Sequence, residues 1–272
     1  MLLNRTLWLI ETRLGTGISL NGIAAELGVN PAYLTRAFST VLGVPLMRYV
    51  RARRVARGAE LLIAGASVTE AALAMGYGSP EAFARAFRAE TGVPPREARG
   101  RGLDGLSLTR PKEVTMQTTQ TLSPPTIEVM PDRRIVGLSR RYTMETRRAI
   151  PAQWGDYNDD GRAIEDAVPD AWYGVCTSSG PGGDFDYLCG QEAPRGAVPK
   201  GWAAVVLPAG RWARFAEPGH ISRMESVWSE IFGQWMGQPG LTPRDGPFVE
   251  FYPLSFDGMT GEGGFEIWMP VA

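Results

Sequence analysis

The segment Asn30-Pro31-Ala32-Tyr33-Leu34-Thr35-Arg36-Ala37-Phe38 returns 49 residues later as Ser79-Pro80-Glu81-Ala82-Phe83-Ala84-Arg85-Ala86-Phe87. This repeat decides the fold of the N-terminal part. The same offset links Gly43-Val44-Pro45 to Gly92-Val93-Pro94. Each copy reads as a helix, a tight turn and a second helix. In the first, Leu20, Ile23, Ala24 and Leu27 recur at helical spacing. Gly28 permits the positive φ of a tight turn, and Asn30-Pro31 supply a cap and a first-turn residue for the next helix. Leu34, Ala37, Phe38 and Val41 form its apolar stripe, and Gly43 ends it. In the second copy Ser67 and Glu70 have capping-box spacing. Ala71, Ala72 and Met75 pack, Gly76 and Gly78 flank the turn, and Ser79-Pro80 restart the helix. Between the copies, Pro45 to about Ala64 reads as one helix, roughly 30 Å long at 1.5 Å per residue. A turn of DNA is roughly 34 Å, so two reading helices held at its ends suit successive major grooves.

These residues resemble the two-unit DNA-binding domain of the AraC/XylS family. The likeness is carried by Ala74-x-Gly76-Tyr77-x-Ser79, Phe83-x-Arg85-x-Phe87-Arg88, Gly92-x-x-Pro95 and Arg99, over about residues 5–100. Pro94 departs from the family's usual Ser or Thr, and Ala98 from its usual aromatic. Both follow the second reading helix, so they bear on packing rather than base contact. The resemblance implies that residues 1–104 bind double-stranded DNA, with base contacts from Ala32, Thr35 and Arg36 and from Pro80, Glu81, Ala82, Ala84 and Arg85. Arg36 and Arg85 suit bidentate contact with guanine, or alternatively a phosphate or an internal ion pair. Pro80 and the alanines have no side-chain donor and Glu81 repels phosphate, so the second helix is the poorer reader. Arg48, Arg51, Arg53, Arg54 and Arg57 crowd the connecting helix and divide between phosphate contacts and a solvated face.

Charge divides the 272-residue chain in the same way. Residues 1–113 carry 15 basic and 9 acidic side chains, and the remainder 13 and 20, within a formal net charge of −1. A basic half beside an acidic half points to two partners, the first polyanionic. A linker is expected over 105–123, ending in Ser123-Pro124-Pro125.

A second, fainter repeat lies beyond it. Val129-Met130-Pro131-x-x-Arg134 recurs as Val206-Leu207-Pro208-x-x-Arg211 at an offset of 77. Each copy leads to a helix-like segment, about Ile150–Ala167 and Ile221–Met236. Two strand-like runs follow each: Ala171–Ser178 with Phe185–Cys189, and Phe248–Leu254 with Phe265–Met269. The expected class is therefore multidomain: an all-α double helix-turn-helix domain, then an α+β domain, 124–272, of two strand-helix-strand-strand repeats. A groove between duplicated halves is a common ligand site.

This half resembles the GyrI-like effector-binding domain fused to bacterial regulators. The carrying residues are Pro131, Pro208-x-Gly210-x-Trp212-Ala213-x-Phe215, Gly219, Trp228, Glu250-Phe251-Tyr252 and Glu266-Ile267-Trp268-Met269-Pro270. The Gly- and Pro-rich stretch 180–201 is longer than the pattern expects. Alternation along the strand places Phe248, Glu250, Tyr252 and Leu254 on one face, and Glu266 with Trp268 on one face of the last strand. Trp154, Tyr157, Trp172, Tyr173 and Trp212 are further candidate lining residues. A carboxylate among aromatic rings suits a lipophilic cation. The resemblance makes Glu250 the leading anchor, Glu266 the second and Asp186, the counterpart of Glu266, the third. Some GyrI-like domains resemble hydrolases that use an acid and an aromatic hydroxyl, so Glu250 with Tyr252 carries an enzymatic alternative.

With 2 cysteines and 1 histidine, neither a disulfide framework nor a multi-histidine metal site is expected, and no cofactor. Cys176 and Cys189 are expected as packed thiols. The apolar start, broken by Arg5 and Glu11, reads as a helix rather than a signal peptide. The expectation is a cytoplasmic, non-enzymatic transcription regulator of drug- or toxin-sensing type, a monomer or weak dimer. Its expected partners are DNA, a small effector and RNA polymerase.

Overall fold

The computed structural model describes residues 2–112, 122–178 and 184–272. The N-terminal region is helical: α1 (Leu2–Thr12), α2 (Leu20–Leu27), α3 (Pro31–Leu42), α4 (Leu46–Ile63), α5 (Val68–Ala74), α6 (Pro80–Thr91) and the short α7 (Ala98–Arg101). The C-terminal region alternates strands with two helices. It runs β1 (Thr126–Met130), β2 (Arg133–Tyr142), α8 (Ile150–Asp159), β3 (Ala171–Ser178), β4 (Phe185–Glu192), β5 (Ala203–Leu207) and β6 (Gly210–Glu217). After these come α9 (Met224–Glu230), β7 (Phe248–Pro253) and β8 (Phe265–Val271). By their contacts the described residues form two compact units. One holds Leu2–Pro31 and the described part of Leu42–Thr115; the other joins Ala32–Val41 to the described part of Met116–Ala272. The central helix α3 is thus grouped with the C-terminal sheet. Of the expected linker, residues 113–121 lie outside the described residues, as do 180–183 of the Gly- and Pro-rich stretch.

In the helical unit, local chemistry sets the ends of the elements. Ser19 accepts a hydrogen bond from the Gly22 amide at 3.1 Å, and Gly28 stops α2 with φ 67°. Ser67 and Glu70 form a reciprocal capping box, with bonds of 3.2 and 2.7 Å. Ser79 caps α6 by accepting from the Ala82 amide at 3.2 Å. Burial then joins the pieces: Val55, Ala59 and Leu62 of α4 pack with Ala71 and Ala72 of α5, Phe83 and Phe87 of α6, and Ala98. A Cβ on Gly58 would stand 2.7 Å from the Phe83 ring, so glycine permits the close crossing of α4 and α6.

Among the described residues, the second unit is built on an eight-stranded antiparallel sheet in the order β1-β6-β8-β7-β3-β4-β2-β5. Its halves, β2-α8-β3-β4 and β6-α9-β7-β8, match the duplicated reading. The leading strands exchange between them. β1 pairs with β6 of the other half, Met130 opposite Gly210, and β5 pairs with β2, Leu207 opposite Arg133. The first helix also ends earlier than expected, at Asp159 rather than near Ala167. Gly161 (φ 67°) and Asp166 (φ 62°) take left-handed backbone there, which an α-helix does not continue through. The last turn of the second helix widens to a π-helix over Ile231–Trp235.

One face of this sheet carries a core of Tyr173, Val175, Leu188, Trp212, Val249 and Trp268 with Met130, Ile135 and Leu207. The opposite face meets α8 and α9, and there Glu250 and its hydrogen-bond donors lie.

Candidate functional site

The site begins with a glycine. On β3, Gly174 lies opposite Glu250 of β7 on one side and Cys189 of β4 on the other. Paired residues of antiparallel strands share a face, so Phe248, Glu250 and Tyr252 lie on the same side as Trp172, Cys176 and Tyr187. A Cβ at Gly174 would stand 2.1 Å from the Tyr187 hydroxyl and 2.9 Å from Glu250 Oε2. Its absence lets these two side chains meet over the strand between them.

There Tyr187 donates to Glu250 Oε2 at 2.7 Å, Tyr252 donates to the same oxygen at 3.1 Å, and Trp228 Nε1 donates to Oε1 at 3.4 Å. Trp154 Nε1 of α8 donates to the Tyr187 hydroxyl at 3.0 Å, and its ring stands edge-on to Tyr252 at 5.4 Å. Tyr157 continues the wall, 5.8 Å from Trp154 and 5.2 Å from Trp202. Gln153, fully buried, anchors α8 to the sheet by donating to the carbonyls of Leu138 (2.8 Å) and Tyr187 (3.0 Å). Glu250 is 9% exposed yet wrapped by donors, the condition under which a buried carboxylate is tolerated.

Burial lifts the Glu250 carboxyl above its ordinary 4.5, against the opposing pull of the Tyr187 hydrogen bond, the Arg36 charge and the Tyr252 and Trp228 donors. The sign of the consequence is definite. Below 4.5 the group is protonated in both folded and unfolded chains, and its contribution to stability is fully present. As pH rises through the raised folded value, the unfolded chain ionises freely while the fold resists, and the contribution is lost. The stability difference between the native chain and Glu250→Gln should therefore shrink with rising pH above 4.5, by at most about 1.4 kcal/mol per pH unit. Urea unfolding of both chains across this range checks it; a difference that grows with pH contradicts it.

Five of the nine expected lining residues gather here: Glu250, Tyr252, Trp154, Tyr157 and Trp172, the last opposite Tyr252. The expectation that Glu266, Trp268, Tyr173 and Trp212 join them does not hold. Val249, not Glu250, is opposite Trp268, and Phe251 is opposite Glu266, so these residues occupy the other face. Glu266 is bound by Arg214 at 2.9 and 3.0 Å and by Trp268 Nε1 at 2.6 Å. Tyr173 and Trp212 are buried in the core of that face. Asp186 is likewise one residue out of phase with Tyr187. The central residues that sequence reasoning missed are Tyr187 and Gly174. In the internal repeat Tyr187 aligns with apolar Ile267, so the repeat carries no signal of a polar role for it, and Trp228 stands out in the sequence only through the family resemblance.

Cys176 and Cys189 are buried free thiols, each pushed up to about 12, chiefly by burial. Among the described residues no cluster of histidine, cysteine and carboxylates suits a metal ion, and no helix is long and apolar enough to cross a membrane.

The expected DNA-contacting residues fall into three groups. On α6, Glu81 and Arg85 are exposed, as are Arg48 and Arg51 on α4. Arg54 is committed internally, donating to the carbonyls of Leu14 (2.8 Å) and Thr16 (2.7 Å), which corrects its place among expected phosphate contacts. Arg53 is 5% exposed and paired with Glu11 at 2.8 Å. On α3, Ala32 and Arg36 are half-buried and Thr35 is buried. Arg36 directs its guanidinium over three rings of the C-terminal sheet and α9: Phe185 at 4.7 Å, Phe248 at 5.0 Å and Trp228 at 5.7 Å.

Comparison with known proteins bears on both regions. A family described as the GyrI-like small molecule binding domain matches residues 123–272, and a helix-turn-helix domain family matches residues 23–101. The transcriptional regulator Rob of Salmonella typhimurium is 25% identical over 273 aligned residues, covering 94% of this chain and 91% of Rob. The HTH-type transcriptional activator AarP of Providencia stuartii is 35% identical over 106 residues, 38% of this chain and 78% of AarP. The transcriptional regulator BrlR of Pseudomonas aeruginosa is 28% identical over 105 residues, and the match spans only 38% of its length. Among solved structures, SAV2435 bound to tetraphenylphosphonium matches 55% of this chain and 94% of its own at 18% identity, with a TM-score of 0.45. With more than half its length matched, the chain belongs to the GyrI-like small-molecule-binding family and carries a helix-turn-helix domain of the AraC type at its N-terminus.

Proposed function

We propose that the chain is a sequence-specific DNA-binding transcription regulator controlled by a lipophilic, cationic aromatic small molecule of the drug or toxin type. The observation that carries this is Glu250, a buried carboxylate with three donors, set among the rings of Trp154, Trp228, Phe248 and Tyr252. A cation entering this cage would restore charge to a carboxyl that burial inclines to stay neutral, and would gain about 0.5–2 kcal/mol from favourable ring contacts. Family membership and the regulatory names of the relatives support the same assignment. Such a regulator works on DNA in the cytoplasm and would need RNA polymerase as its protein partner.

The DNA half of this function is tested with the whole chain. Its basic N-terminal half and the exposed Arg48, Arg51 and Arg85 should make binding strongly salt-dependent. Affinity for duplex DNA should fall on the order of a hundredfold between about 50 and 200 mM salt, through counterion release. Fluorescence anisotropy with a labelled duplex measures it; a flat salt response overturns the assignment.

The Glu250–Tyr252–Tyr187 cluster also has the components of an acid-base hydrolase, a carboxyl beside two aromatic hydroxyls. Product formation from a reactive electrophilic toxin would favour that activity; a raised melting temperature without turnover would favour sensing.

A further inference from the structure

We propose that α3 is the resident occupant of the effector cage, with Arg36 standing where the cationic effector binds, so that effector and α3 compete for the same rings. This deepens the sensing function above and presupposes that the Glu250 cage is the effector site.

The internal repeat provides the control. α3 and α6 share one sequence pattern at an offset of 49, and Arg36 corresponds to Arg85. On α6, Glu81, Arg85, Arg88 and Ala89 are exposed, as a DNA-reading helix requires. Among the described residues of α3 from Pro31 to Leu42, none is exposed. The difference lies in what α3 touches. Arg36 lies within 4.7–5.7 Å of three rings, Phe185, Phe248 and Trp228. One of these, Trp228, donates its indole hydrogen to Glu250. The guanidinium therefore sits among the aromatic faces of the proposed site, where its charge also favours the ionised Glu250. Tyr33, which corresponds to the small Ala82 of α6, adds edge contacts to Phe232 (5.6 Å) and Phe248 (6.1 Å).

The seat is also imperfect, as a displaceable element should be. The Tyr33 hydroxyl is buried without a hydrogen-bond partner while its ring packs on Phe232 and Phe248, a cost that leaving the cage would relieve. A helix held in the cage cannot lie in a major groove at the same time. An effector that takes the rings thus frees the first reading helix. By linkage, DNA that holds α3 favours the effector.

Hydrogen exchange on the full-length chain, read by mass spectrometry, tests this, with α6 as the internal reference. Saturating tetraphenylphosphonium should raise exchange over residues 31–42 and leave 80–91 unchanged. Without any ligand, Arg36→Ala should raise exchange over 31–42, and Arg36→Lys, which keeps the charge, should do so less. Calorimetry should show Arg36→Ala binding the cation about tenfold more tightly, the gain expected if α3 fills the cage about nine-tenths of the time. Unchanged exchange over 31–42 in both variants would overturn the proposal, whatever the ligand does. Glu250-dependent binding of the cation with α3 still protected would overturn it too, while leaving the sensing function intact. Failure of both the native chain and Arg36→Ala to bind the cation would instead remove the effector site, and the competition with it.

Discussion

Replacing Glu250 by glutamine should weaken binding of benzyltrimethylammonium on the order of a hundredfold, about 3 kcal/mol, and change binding of its uncharged isostere neopentylbenzene by less than about threefold. The two ligands have the same shape and differ in one charge. Glutamine keeps the volume of Glu250 and an oxygen able to accept from Tyr187 and Tyr252, so the aromatic walls should survive. What it removes is the buried carboxylate that the cage rings enclose; Glu217, buried on the same face, is paired with Arg223, and Glu266 is on the other face and paired with Arg214. An ion in a poorly hydrated cage depends on such a partner far more than one at a surface. Calorimetry on the matched pair reads the effect directly. Equal losses for both ligands would make Glu250 a structural residue, and no loss for either would place the ligand elsewhere.

The larger effect on the protein itself should come from Gly174→Val. A Cβ there has no room: it would lie 2.1 Å from the Tyr187 hydroxyl, 2.8 Å from the Tyr187 ring and 2.9 Å from the Glu250 carboxylate. Two branched methyls beyond it must push β4 or β7 side chains off their rotamers, and the Tyr187–Glu250 bond breaks. Overpacking of this kind costs about 1–3 kcal/mol. Stranding a buried carboxylate without its shortest hydrogen bond adds about 1–3 kcal/mol more. Unfolding of the C-terminal domain, followed by tryptophan fluorescence in urea, should show a loss of about 3 kcal/mol or more. Gly174→Ala should cost less, and adding Tyr187→Phe should return part of that loss, because the phenol oxygen is the closest obstacle. Strictly additive losses would mean that the glycine is required for some reason other than this contact. Strand propensity alone favours valine over glycine, so a stabilised variant would refute the steric account outright.

Much of this molecule was legible because local rules and repetition coincide. The 49-residue repeat, the Ser67–Glu70 capping box and the glycines at turns specify helices and their ends through neighbours a few residues away. The alternation in Phe248-Val249-Glu250-Phe251-Tyr252 likewise placed Glu250 and Tyr252 on one face, since a strand's period is a property of its own backbone. Sequence period was silent on which strands are neighbours. It assigned Glu266 and Trp268 to a common face, but only the β7–β8 register decides that this is the face opposite Glu250. Shifting that register by one residue would reverse the outcome. The exchange of β1 and β5 between the halves is set by pairings 66 to 88 residues apart, beyond the reach of any local pattern. Tyr187 and Gly174 joined the site for the same reason, since each has meaning only beside a strand it does not follow. The sequence by itself determined two helix-turn-helix units and a duplicated sheet domain, because these rest on short-range spacing. Only the tertiary structure decided that Arg36, written as a base reader, lies instead among the rings of Phe185, Trp228 and Phe248, because a cation's partner is fixed by what folding brings within about 6 Å.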